Sequence, residues 1–132
     1  MKTRRLVFLA CTVLVLPIFV LPADTSVDNY GDPRDPSVLA TMIDEARDEF
    51  ELIDVRTPSE YADGHIPTAE NIDYREIAQA MADGDRDQMV VLYCRSGSRA
   101  SVAESALRSI GYTQVVNFGG LRDWTGPVER GR

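Results

Sequence analysis

A chain of 132 residues, 44% hydrophobic and 27% charged, has room for one domain around a single core. Its net charge of −7 is unevenly placed: the first 23 residues hold three of the 14 basic groups and none of the 21 acids, so the remainder stands near −10. That balance argues against nucleic acid and anionic membrane surfaces as partners of the domain, and one histidine with two cysteines is too few soft ligands for a metal cluster.

Lys2, Arg4 and Arg5 precede an almost wholly apolar run at 6–21, broken by Thr12 and Pro17. A positive start followed by an apolar stretch is the layout of an export signal, with cleavage expected after Ala23 despite the bulky Leu21. The run is also close to the length that spans a bilayer, so an uncleaved membrane anchor over 6–21 is the alternative. The domain is therefore expected outside the cytoplasm, periplasmic or extracellular, touching a membrane only through this segment. Residues 24–36 are polar, carry Gly31, Pro33 and Pro36, and read as a linker.

The folded domain is expected over 37–126, with a short tail at 127–132. Ser37 is placed to cap a helix over 38–47, whose apolar face would hold Val38, Leu39, Met42, Ile43 and Ala46. The compact run 50–55 suits a buried strand. Thr57-Pro58-Ser59-Glu60 is a capping box with proline at the first helical position, so a short helix starts there. Gly64-His65-Ile66-Pro67 ends it, a short strand follows at 69–72, and 74–82 reads as a helix. Residues 89–93 form the strongest strand pattern in the chain. A helix follows from Ser98 or Arg99 to Ile110, with Gly111 as its terminator. A last strand at 114–118 leads through Gly119-Gly120 into a short helix at 121–124. Strands alternating with helices at this spacing predict an α/β domain: a small, mostly parallel sheet flanked by helices on both faces. Ligands of such sheets gather at the carboxyl edge of the strands.

Two loops leaving strands at that edge carry charge, Asp54-Val55-Arg56 and Cys94-Arg95-Ser96-Gly97-Ser98-Arg99. The small residues Ser96, Gly97 and Ser98 let the second loop curl with its N–H groups inward. With the helix N-terminus behind it, the loop becomes an anion nest. The same field lowers a thiol's pKa, and Arg95 and Arg99 are expected to push it the same way. Cys94 is thus read as a thiolate nucleophile that needs no histidine base. The plainer reading of a buried cysteine as a small hydrophobe suits the arginines and the glycine poorly.

These segments, together with Leu52-Ile53-Asp54-Val55-Arg56, Gly64-His65-Ile66-Pro67 and the ending Gly119-Gly120 with Trp124, closely resemble single-domain rhodaneses over about residues 37–126. Thr68 departs from the family's pattern, in which glycine is usual. The resemblance implies the rhodanese-like fold and a sulfurtransferase without cofactor or metal. Cys94 would carry a persulfide, taken from a small anionic donor such as thiosulfate and passed to cyanide, a thiol or a protein acceptor. The amides of 95–99 would hold the terminal sulfur, Arg95 and Arg99 would draw in the donor, and Asp54 would brace the loop. Arg56 is assigned to donor binding, with an ion pair to Glu60 or another acid as the competing role. His65 is read as a structural turn residue and Trp124 as a core or rim aromatic.

Two rival functions are weighed. Cysteine phosphatases and arsenate reductases place five residues between cysteine and arginine, whereas four separate Cys94 from Arg99, a spacing better suited to one sulfur atom than to a tetrahedral oxyanion. A sulfur-carrier module would load once and turn over poorly on small molecules. No exposed apolar stripe predicts an oligomer, so a monomer is expected.

Overall fold

The computed structural model describes residues 27–131. The proposed signal or anchor at 1–23 lies outside the described residues. In chain order the elements are α1 (Pro36–Glu45), β1 (Phe50–Asp54), α2 (Pro58–Asp63), β2 (Glu70–Asn71), α3 (Ile77–Ala80), β3 (Met89–Cys94), α4 (Ser98–Ser109) and β4 (Val115–Gly120). Single 3-10 turns stand at Val27–Asn29 and Leu121–Asp123.

The four strands form one parallel sheet in the order β2-β1-β3-β4. β3 sits inside it, and Val90, Val91, Leu92, Tyr93 and Cys94 are all buried. Because a strand alternates its faces, these side chains divide between two cores. Val91 and Tyr93 join Leu39, Met42 and Ile43 of α1, with Phe118 and Trp124, on one face. Val90, Leu92 and Cys94 join Ile77 of α3 and Ala100, Ala103 and Leu107 of α4 on the other. Helices therefore cover both faces, as the alternating pattern predicted, and Cys94 falls on the α4 side.

Several boundaries move for local reasons. α1 begins at Pro36 because Asp35, and not Ser37, is its cap, accepting from the Ser37 amide at 2.8 Å and its hydroxyl at 2.6 Å. The stretch read as a linker thus supplies the cap Asp35 and the first residue, Pro36, of α1, and further upstream Val27 is buried in the core. α3 is shorter than the helix expected over 74–82, because the Tyr74 amide is bound to the Val55 carbonyl and Asp73 caps the turn before it. The capping box at Thr57 and Glu60 is formed as expected.

The Gly64-His65-Ile66-Pro67 turn is tied to β3 by the Ile66 amide, which donates to the Tyr93 hydroxyl at 3.0 Å. The residue after it, Thr68, holds a left-handed backbone at φ +68°, which is the physical reason for a glycine preference there. The tail folds back on the same turn: His65 and Glu129 exchange both backbone hydrogen bonds, and Trp124 Nε1 donates to the Pro127 carbonyl.

Candidate functional site

β3 delivers Cys94 to the carboxyl edge of the sheet, and α4 begins four residues later. The Cys94 side chain is buried, with the residue 1% exposed. Burial is the largest single influence on the thiol and pushes its pKa up. Against it stand the backbone N–H groups of Ala100, Ser96, Gly97 and Arg99, which together outweigh burial and bring the pKa below the ordinary thiol value. The Gly97 amide lies 3.0 Å from Sγ. Arg99 and Ala100 sit in the first turn of α4, where amides lack intrahelical partners, so a thiolate satisfies donors the helix leaves open. The loop is an amide nest, as its small residues suggested. Ala100 belongs to it although the sequence motif stops at Arg99.

The nest is shaped from behind by β4. Gly97 is left-handed at φ +101°, and a Cβ there would come within 3.3 Å of the Gly119 Cα. A Cβ on Gly120 would collide with the Arg95 carbonyl and lie 2.8 Å from the Ser96 Cα. Between these contacts Asn117 Nδ2 donates to the Gly97 carbonyl at 3.1 Å, and its Oδ1 accepts from the Gly119 amide at 2.9 Å. The register against β3 shifts here, Leu92 pairing with Asn117 and Tyr93 with Gly119, so Phe118 is the extra residue of a β-bulge beside the site. Sequence reasoning missed Asn117, because nothing in an apolar strand pattern announces a bulge.

The arginines are more committed than their positions in the motif imply. Arg99 makes a two-pronged ion pair with Glu60 at 2.7 and 2.8 Å. That bond is the main reason the Glu60 carboxyl is held down at about 2, despite partial burial, with the Thr57 cap lowering it further. Arg56 is buried, and its fork is taken by Asp54, with Nη2 also donating to the Gly64 carbonyl at 2.7 Å. The competing role for Arg56, an ion pair, is the arrangement found, with Asp54 in place of Glu60. Asp54 accordingly braces Arg56 and, through it, the Gly64 turn; its carboxylate accepts from Arg56 and also meets the Tyr93 hydroxyl. The Asp-x-Arg spacing carried the signal, since residues two apart at a strand end project to one side. Arg95 is exposed, while Ser96 and Ser98 place their side chains at the surface.

A cleft of about 380 Å³ opens at this edge, lined by Arg56, Glu60, Asp63, Arg95, Leu121 and Arg122. His65 does not join it: its Nδ1 lies 2.9 Å from the Tyr61 carbonyl, its ring stacks on Tyr61, and Nε2 is 3.7 Å from Glu129. Trp124 is buried in the α1-side core.

The fold that carries this cysteine loop, at the end of an inner parallel strand, agrees with the comparisons to known proteins. The rhodanese-like domain family matches residues 35–126. The chain belongs to that family. Among rhodanese relatives, it is 37% identical over 81 residues to thiosulfate sulfurtransferase PspE of Escherichia coli strain K12, covering 60% of this chain and 78% of that protein. A sulfurtransferase of Allochromatium vinosum is 42% identical over 74 residues, covering 55% of this chain and 69% of the other. The solved structure of a rhodanese with anions from E. coli superposes with a TM-score of 0.57 at 37% identity, over 61% of this chain and 98% of that one. This rhodanese domain thus shares its four-stranded parallel sheet, flanked by helices on both faces, with solved relatives.

Proposed function

We propose that the protein is a sulfurtransferase that carries a sulfane sulfur as a persulfide on Cys94, taking it from an anionic donor such as thiosulfate. The observation that carries this reading is the convergence of the Ser96, Gly97, Arg99 and Ala100 amides on the Cys94 sulfur. The relatives named sulfurtransferases support it.

In the first half of the cycle the Cys94 thiolate attacks the donor's outer sulfur, the donor's S–S bond breaks, and its electron pair leaves with sulfite. No proton has to move, which agrees with a site where His65 bonds elsewhere. The amides that stabilise the thiolate would then face the negative terminal sulfur of the persulfide. In the second half a thiophilic acceptor, cyanide or a thiol, removes that sulfur and regenerates the thiolate. A nest closed around a single atom suits this better than phosphoryl or arsenate chemistry, which needs room for a tetrahedral anion.

The test is an intact mass of the full chain before and after thiosulfate, and again after cyanide. A gain of one sulfur atom, removed by cyanide with release of thiocyanate and absent in Cys94→Ser, is the expected result. A folded protein with a titratable Cys94 that gains no sulfur would reject thiosulfate as donor. An adduct that forms once but turns over poorly on cyanide and small thiols would favour the carrier role.

A further inference from the structure

Arg122 belongs to none of the motifs that stand out in the sequence, yet the 3-10 turn after β4 brings it to the same cleft as Arg95. The charges lining that cleft do not all remain available. Arg56 is matched by Asp54, and Glu60 by Arg99. Three remain. Among the described residues no ion pair engages Arg95 or Asp63, and Arg122 reaches only Asp123, at 3.7 Å, with the two side chains 69% and 51% exposed.

We propose that Arg122, together with Arg95, binds the anionic leaving part of the sulfur donor and sets a preference for dianionic donors; this rests on the sulfurtransferase reading above. Two of the three arginines assigned to the donor from the sequence, Arg56 and Arg99, already hold buried or half-buried carboxylates. A guanidinium released from a loose surface contact is the better anion ligand, because little has to be broken before it binds. The sulfonate end of thiosulfate is anionic both in the bound donor and in the departing sulfite, so a cation lining the cleft holds both alike and acts mainly on KM. Asp63, on the same cleft, opposes a dianion. Removing the two charges must therefore act in opposite directions.

The measurement is kcat/KM of the full chain for thiosulfate against methanethiosulfonate, which offers the same outer sulfur on a monoanion and releases a sulfinate. Arg122→Ala should lower the thiosulfate-to-methanethiosulfonate ratio about fivefold, chiefly through KM, the scale expected for one exposed charged contact. Asp63→Asn should raise the ratio about twofold. Ratios unchanged in both variants, with wild-type Cys94 loading normally, would overturn the proposal and leave the persulfide reading intact. Failure of wild-type Cys94 to load from either donor would reject that reading instead. The anion site is then tested by sulfate protection of Cys94 against iodoacetamide. Weaker protection in Arg122→Ala than in wild type supports it, and equal or absent protection overturns it.

Discussion

Asn117 and Gly97 are joined across 20 residues by a hydrogen bond of 3.1 Å, from the Asn117 side-chain amide to the Gly97 carbonyl. The bond turns one face of the Gly97 peptide toward β4, and the N–H of the same residue donates to the Cys94 sulfur. The Asn117 hydrogen bonds go to Gly97 and Gly119 and not to the Cys94 sulfur, so it bears on that sulfur by orienting Gly97. Asn117→Ala should therefore raise the Cys94 pKa, because the Gly97 amide that lowers it loses its orientation, and move thiolate reactivity to higher pH. The check is the pH profile of iodoacetamide alkylation. A profile that does not move, in a folded variant, would show that the loop holds its shape without Asn117.

The ion pair between Arg99 and Glu60 joins the Cys94 loop to the capping box of α2. Because the Glu60 carboxyl is depressed from 4.5 to about 2, its contribution is present above pH 4.5 and is lost as pH falls through about 2. Glu60→Gln should cost about 1 kcal/mol at neutral pH, discounted for the partial exposure of both side chains, and flatten acid unfolding between those limits. Denaturant melts at pH 7, 4 and 2.5 would show it.

Arg56 and Asp54 form the most deeply buried ion pair among the described residues. Arg56→Ala strands a carboxylate that is 0% exposed, and the expected loss is about 3–5 kcal/mol. The loss should appear as a lower melting temperature. Donor KM should change little under conditions where the variant remains folded, because the guanidinium is already engaged.

Much of this architecture can be read from the residues alone. The continuous apolar run of β3 names a strand buried on both faces, and the small residues after Cys94 name a loop able to turn its amides inward. What could not be read are relationships between distant segments. Glu60 and Arg99 stand 39 residues apart, and the bulge at Phe118 exists only once β4 lies against β3. The short strand expected over 69–72 is present but narrows to the two residues of β2, whose place depends on Asn71, since its side chain donates to the Asp54 and Arg56 carbonyls.

Thr68 offers a test of backbone strain away from the chemistry. A β-branched residue at φ +68° costs about 1–2 kcal/mol, part of which glycine would return as unfolded-chain entropy. Thr68→Gly should stabilise the domain by about 0.5–1 kcal/mol, read as a higher denaturation midpoint with unchanged slope. Unchanged donor kinetics should accompany it, since the turn contacts β3 through Ile66 and not through the Cys94 loop.

The near-complete enclosure of Cys94 makes the state of its sulfur legible from outside. An unloaded thiol at that depth is sheltered from bulky thiols and from a second copy of itself, so disulfide-linked pairs should form slowly even in an oxidising compartment. In the proposed persulfide cycle, loading would lengthen the side chain by one S–S bond, about 2 Å. On that reading a large acceptor would distinguish a loaded carrier from a spent one by reach, and collisions with the empty protein would be harmless.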